Sequence, residues 1–444
     1  MRTLVTSALA LCFAATALAQ PQQPAPKVTY IQAGALLARP GEAPRGNSTI
    51  VVRGGKIAEV REGFVQPEAG AELVDLRNQF VLPGLIDMHV HFYSTGYPLQ
   101  ARLNATSRDR GDAFVDAVGN ARRTLDAGFT TVRDLGAEDP RGVRALRDAI
   151  ARGEIAGPTI VNAGEMISVT AGHGDANGLK EEYAHADRAQ STAICNGADD
   201  CRRATRDQIF MGAEVIKFAA SGGVGSNIAG GLEAQMTLEE MKAIVETAHS
   251  FGRKATAHAH GKSGIDLALK AGVDSIEHGS YLDEETFRLF KQTGAYLVPT
   301  MHAFESVIRQ GRAGERPPAS AAKAEQVALV VKDAHRRAYA SGIKIAFGTD
   351  SGVGPHGTNA LEFTYMTQAG MPAARALRTA TIDAATLLGQ ADKIGTIEPG
   401  KEADIIAVSG NPIEDVKRLE KVDFVMKDGR IHKLGGQRQP FPAE

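Results

Sequence analysis

Between Pro83 and Gly389 the chain repeats one pattern eight times: a short apolar run of strand length, followed in most cases by a stretch with helical periodicity. The runs are 84–91, 130–134, 159–163, 214–219, 254–258, 275–278, 295–299 and 344–348, and the clearest helical stretches are 237–251, 262–271, 283–293 and 321–341. Eight strands alternating with helices predict an α/β fold, a (β/α)8 TIM barrel, with a doubly wound open sheet as the competing arrangement. In a barrel the chemistry sits at the C-terminal ends of the strands, so the residues that end each run carry the information about function.

Outside that region the texture changes. Short β segments broken by glycine occupy 31–38, 48–52 and 56–60, with Arg53-Gly54-Gly55 as a hairpin turn. The far end repeats this at 404–408, 422–426 and 430–433, with Lys427-Asp428-Gly429 as the turn. Neither end has enough strands to enclose a core, so one small β-sandwich assembled from both is expected. The predicted organisation is a signal peptide over 1–19, sandwich over 20–82 and 391–444, and barrel over 83–390. The signal reading rests on Arg2, an apolar segment over 4–18, and Ala17-Leu18-Ala19 before Gln20, a small-x-small cleavage pattern. It implies a secreted or periplasmic protein. In such a compartment Cys195 and Cys201, the two cysteines left after cleavage, are expected to form a disulfide rather than a metal clip, stapling an ordered insertion over 168–206.

Two classes of partner are excluded. Formal net charge is −2, with no basic run or aromatic-basic interleaving, so no nucleic-acid partner is expected. After the signal, no apolar run is long enough to span a membrane.

The strand ends form a coherent set. The first run ends Asp87-Met88-His89-Val90-His91, and alternate strand residues share a side, so His89 and His91 project together. The fourth run places Lys217 in an otherwise apolar strand, the fifth ends Ala257-His258-Ala259-His260, the sixth ends Glu277-His278, and the eighth runs into Thr349-Asp350. Histidines and a carboxylate converging on one barrel mouth suit a metal-dependent hydrolase: the metal lowers the pKa of a bound water and polarises a carbonyl, and a carboxylate moves protons. A buried Lys217 ammonium is costly, which leaves three readings open: a salt bridge, a substrate contact, or reaction with carbon dioxide to give an anionic carbamate ligand.

These residues carry a family resemblance. Gly84-Leu85-Ile86-Asp87-Met88-His89-Val90-His91, the fourth-strand lysine, Ala257-His258, Glu277-His278, Gly348-Thr349-Asp350 and the C-terminal run from Ile394 to Ile406 resemble the amidohydrolase superfamily. The resemblance implies two divalent metal ions, usually Zn2+. It places His89 and His91 on one, His258 and His278 on the other, carbamylated (carboxylated) Lys217 between them, and Asp350 as both metal ligand and general base. Gly128 to Gly136, Thr170-Ala171-Gly172-His173-Gly174, the run from Lys217 to Gly223, and His258-Ala259-His260-Gly261 further resemble the imidazolonepropionase-like branch. That branch includes Xaa-Pro dipeptidase-like enzymes and ochratoxin-hydrolysing amidases, so the implied substrate is a small amide or dipeptide with a C-terminal amino acid. Related barrels often assemble, which leaves a homo-oligomer open.

The remaining candidates are contacts. His260 could replace His258 as a ligand or meet substrate, and His173 in the glycine-rich loop could bind the substrate's carbonyl or carboxylate. Ser221 and His302 are further pocket candidates. Arg133 and Asp134, adjacent at the second strand's end, could pair with each other. His185, His249, His335, His356 and His432 have no strand-end context. The leading expectation is an amidase or dipeptidase; a cyclic-amide or lactam hydrolase is the alternative within the same chemistry. A non-enzymatic metal- or ligand-binding barrel is the alternative from another class.

Overall fold

The computed structural model describes residues 27–441 apart from 138, 177–179 and 227–230; the signal-peptide expectation over 1–19 lies outside the described residues. The N-terminal part supplies β1 (Val28–Leu36), β2 (Ser48–Arg53), β3 (Lys56–Glu62) and β4 (Glu72–Pro83). The central strands are β5 (Leu85–Val90), β6 (Phe129–Asp134), β7 (Thr159–Asn162), β8 (Val215–Ala219), β9 (Lys254–Ala259), β10 (Ser275–His278), β11 (Tyr296–Val298) and β12 (Lys344–Ile345). The C-terminal part adds β13 (Ile405–Val408), β14 (Val422–Lys427), β15 (Arg430–Leu434) and β16 (Gln437–Arg438).

All eight expected central runs are strands, in an α/β fold. β5, β6 and β7 form one parallel sheet, and β8 to β12 another. Backbone bonds run between the sheets at both sides. Glu214 N donates to Asn162 O (2.8 Å) and Ile167 N to Lys217 O (2.9 Å), beside β7 and β8. Met88 N donates to Phe347 O (2.9 Å) and His91 N to Ser351 O (2.7 Å), beside β5 and the segment after β12. Phe129 on β6, Phe218 on β8 and Phe347 after β12 are fully buried in one cluster that also takes in the helical residues Met241 and Ile244. Among the described residues no helix is long and apolar enough to cross a membrane.

The chain ends share a single eight-stranded sheet, in the order β16-β15-β14-β13-β4-β1-β2-β3. Its centre is β4, which the sequence reading did not single out. β4 pairs parallel with β1 and antiparallel with β13, so it stitches the two ends of the chain together. Its first half alternates buried and exposed residues while its second half, Phe80 to Pro83, is wholly buried, so no single period marks it. Ile31, Ile50, Val74, Phe424 and Met426 give this sheet a core of its own.

Two helical details differ from or extend expectation. The stretch 321–341 is two helices, Pro318–Ala328 and Val331–Ser341, broken at Leu329-Val330. The break lets the second helix turn Ala334, His335 and Ala338 inward while the first buries Lys323, Ala324 and Val327. Cys195 and Cys201 are joined as a disulfide with Cα atoms 4.9 Å apart, at the start of helix Ala198–Phe210.

Gly84 is the joint between the terminal sheet and β5. Its N–H donates to Asp404 O (2.9 Å), and a Cβ there would lie 2.2 Å from Thr130 Oγ1. Gly84→Ala is expected to destabilise the protein by about 1–3 kcal/mol through overpacking, measured as a lowered urea midpoint.

Candidate metal centre

His89 lies on β5 and His91 directly follows it; their Nδ1 atoms face fixed acceptors. His89 Nδ1 is 2.8 Å from Glu277 Oε2, and His91 Nδ1 is 2.7 Å from the Gly136 carbonyl. Neither a carboxylate nor a carbonyl can donate, so both Nδ1 atoms carry the proton and both Nε2 atoms are bare lone pairs. Yet the two Nε2 atoms are 3.2 Å apart. Asp350 Oδ1 joins them, 3.2 Å from His91 Nε2 and 3.5 Å from His89 Nε2. Three acceptors facing one another repel unless a cation sits among them. In the metal-free protein a proton serves: burial pushes the His91 imidazole down, but the Asp350 carboxylate more than restores it, and its pKa is raised. Divalent metal fits the same donor set.

Beside this trio stands a histidine cluster. His258, His260 and His278 bring ligand atoms within 4.8 Å of one another, and His89, His278 and Asp350 do the same. The His278 ring centroid is 4.6 Å from that of His258, and His258 Nε2 is buried without a hydrogen-bond partner. His278 Nδ1 is 2.7 Å from Thr300 Oγ1, and His260 Nδ1 is 2.7 Å from Ser280 Oγ. The arrangement admits either His258 or His260 as a ligand. Lys217, 2% exposed on β8, is near enough for its charge to act on His89, His258, His278 and Asp350. Burial lowers its ammonium to about 8.

The expected contact residues take distinct places. His173 stacks on His258, ring centroids 4.1 Å apart, and its Nδ1 meets Ser226 Oγ. Ser221 Oγ accepts from His260 N (2.8 Å) and donates to Gly222 O (3.0 Å), so this hydroxyl braces His260. His302 Nε2 is 2.9 Å from Thr358 Oγ1, in the wall of a cavity also lined by Ser306 and Tyr365. Arg133 and Asp134 do not pair. Adjacent strand residues point to opposite sides: Arg133 Nη2 donates to Glu277 Oε1 (2.7 Å), while Asp134 Oδ2 accepts from Phe92 N (3.0 Å).

Sequence reasoning missed several supports. Glu277 also accepts from Thr256 Oγ1 (2.5 Å) and Ser275 Oγ (2.9 Å). Asp87 accepts from Thr349 Oγ1 (2.6 Å) and Asn359 Nδ2 (2.7 Å). His335 Nε2 donates to His278 O (2.8 Å), and His356 Nε2 to His91 O (3.0 Å), so two histidines without strand-end context hold the backbones of two candidate ligands. Only Glu277's place beside His278 and Asp87's place two residues before His89 gave a signal.

Histidines and a carboxylate gathered at the ends of parallel strands are a donor set that could hold a metal ion, the chemistry of hydrolases that use one. The chain belongs to the amidohydrolase family, whose model matches residues 80–432. It is 35% identical over 442 residues to an ochratoxinase of Aspergillus niger, covering 92% of this chain and 88% of that one. Among solved structures, a Xaa-Pro dipeptidase with bound methionine in the active site superposes with a TM-score of 0.86 at 40% identity, covering 92% of this chain and all (100%) of the other. A prolidase complexed with N-methylphosphonate-L-proline superposes at 0.83 with 30% identity, covering 93% of this chain and 100% of the other. Family and relatives together support hydrolysis of amide bonds, in a family that is generally metal-dependent and with small-molecule substrates among those relatives.

Two outcomes are expected. Glu277→Gln removes the charge that fixes the His89 tautomer, and metal affinity should fall about 10–100-fold in a chelator competition. The second concerns acid. Burial holds His89, His173, His302, His335 and His356 at about 4 and His260 at about 3. The unfolded chain protonates its imidazoles below about 6.5, so between there and 4 it binds more protons, and stability rises with pH across that window. Asp87, Asp134 and Asp404, which burial raises to about 6, Glu362, which it raises to about 8, and His91, raised beside Asp350, work the other way. They are outnumbered, since His258 and His278 are also held well below 6.5 and His432 at about 4. The urea midpoint of the metal-free protein should be lower at pH 5 than at pH 7.

Proposed function

We propose that the chain is a binuclear-metal amidase that cleaves the bond between an acyl group and a C-terminal amino acid, with dipeptides, N-acyl amino acids and ochratoxin A as candidate substrates. The observation that carries this reading is the trio of facing acceptors, His89 Nε2, His91 Nε2 and Asp350 Oδ1. The substrate class draws on the relatives, which are an ochratoxinase, a dipeptidase holding methionine and a prolidase holding a proline phosphonate. In this reading the eight parallel strands are a (β/α)8 barrel over about 83–390, and the sheet from the chain ends is an accessory domain. The disulfide Cys195–Cys201 supports a secreted or periplasmic setting.

His89, His91 and Asp350 would hold one ion, and His258 and His278 the other; imidazole and carboxylate donors suit Zn2+. Bound there, the ions would polarise the substrate carbonyl and lower the pKa of water. Lys217 would bridge as its carbamate: the neutral amine that burial favours attacks carbon dioxide, an N–C bond forms, and a proton leaves to solvent. Burial alone would raise the Asp350 carboxyl, but His89, His91 and Lys217 hold it at about 2. Asp350 is therefore an ionised acceptor at neutral pH, able to take the proton of the attacking water and hand it to the leaving nitrogen. His260 and His173, neutral at that pH, border the substrate.

The test joins metal analysis to a hydrolysis screen over N-acyl amino acids, Xaa-Pro and other dipeptides, lactams and ochratoxin A. About two ions per chain are expected, with turnover abolished in Lys217→Ala. Asp350→Asn should lose on the order of 10²–10⁴-fold in kcat while the protein stays folded. One ion with Lys217 dispensable means a mononuclear centre, and turnover confined to lactams means a cyclic-amide hydrolase. Metal with no turnover of any amide means a ligand-binding barrel.

A further inference from the structure

Lys323, on helix Pro318–Ala328, is a buried cation that the chemistry above does not use; the residue is 7% exposed. Its Nζ donates to the carbonyls of Gly223 (2.7 Å) and Ser226 (2.9 Å), in the loop that follows β8. Both loop residues touch His173: Ser226 Oγ meets His173 Nδ1, and a Cβ on Gly223 would lie 2.1 Å from the His173 ring. The ammonium is thus one residue removed from an imidazole stacked on His258, and its charge is felt at His173 and His260. Burial pushes its pKa down, and among the described residues it forms no ion pair with a carboxylate.

A buried charge is retained where something pairs with it. Two carbonyls satisfy two of the three N–H donors of a lysine ammonium and none of its charge. Through Ser226 and His173 the ammonium is linked to His258, in a site whose substrates, in the reading above, carry a carboxylate on the leaving amino acid, and these bonds leave one N–H donor over. We propose that Lys323 binds that carboxylate and so sets a preference for amides of free amino acids over amides of plain amines. The inference rests on the amidase reading and goes beyond it by naming the residue that selects the leaving group.

The test compares each N-acyl amino acid that the wild-type protein hydrolyses with the same acyl amide of its decarboxylated amine. A charge-assisted hydrogen bond predicts a preference for the acid of about 10–100-fold in kcat/KM. Lys323→Gln keeps a donor for the two carbonyls but removes the charge. It should raise KM for the acid and bring the ratio of the two substrates toward one, with the melting temperature as a check on folding. If wild-type protein turns over acid and amine equally, the proposal is overturned without any variant. A parallel fall in kcat on both substrates, with the ratio kept, overturns it in favour of a residue that only pins the loop. Hydrolysis of no N-acyl amino acid at all removes the amidase reading itself, a different failure.

Discussion

The carboxylate of Glu277 is the interaction on which the centre of this protein depends. It sits fully buried and accepts from Arg133, Thr256, Ser275 and His89, residues of β6, β9, β10 and β5. One side chain thus ties four strands across their interior. Burial favours its neutral form, but Arg133, His89 and Lys217 together hold the pKa far below the ordinary range. Removing one partner of such a pair leaves an uncompensated charge and typically costs about 3–5 kcal/mol. An apolar replacement could fill the space, but it could not set a proton on His89 Nδ1 and so could not aim the opposite nitrogen at the donor trio.

The backbone shares this concentration of stress. His278, Thr300 and Asp350 have φ of 74°, 51° and 56°; the first ends β10, and the others lie in the segments that follow β11 and β12. None is glycine, and for a β-branched threonine the left-handed region is a genuine outlier. Such residues cost about 1–3 kcal/mol each and persist where the surroundings over-determine them. Here the determinants are visible: Thr300 Oγ1 meets His278 Nδ1, His335 holds the His278 carbonyl, and Asp350 N donates to His89 O (2.7 Å). The strain turns chain ends that would run on as strands into mounts for the candidate ligands.

The sequence made the periodic part of this architecture legible. The central strands are short runs, and those from β5, β9 and β10 stop at or beside histidines, so the ligand types at those stops are readable without coordinates. β4 was not, because its first half alternates and its second half is buried on both faces. The break at Leu329-Val330 was not, because apolar spacing continues through it while the buried face turns. The bracing histidines were invisible for another reason: His335 and the carbonyl that it holds are 57 positions apart, and His356 and its carbonyl 265. Local pattern contains no information about such pairs. Adjacency misled at Arg133-Asp134, where strand geometry sends neighbours to opposite sides.

The bonds between the first and last central strands also set an order of events. Asp87 and Thr349 meet across 262 positions, and Asp350 reaches His89 and His91 over a similar span. A chain growing from its N-terminus therefore carries both first-strand histidines through most of synthesis with no carboxylate to complete their trio. Contacts of such high sequence separation form slowly, because the loop must be closed before they contribute. A metal that needs all three donors cannot nucleate this fold. It can only lock it afterwards, by mass action on a structure already assembled.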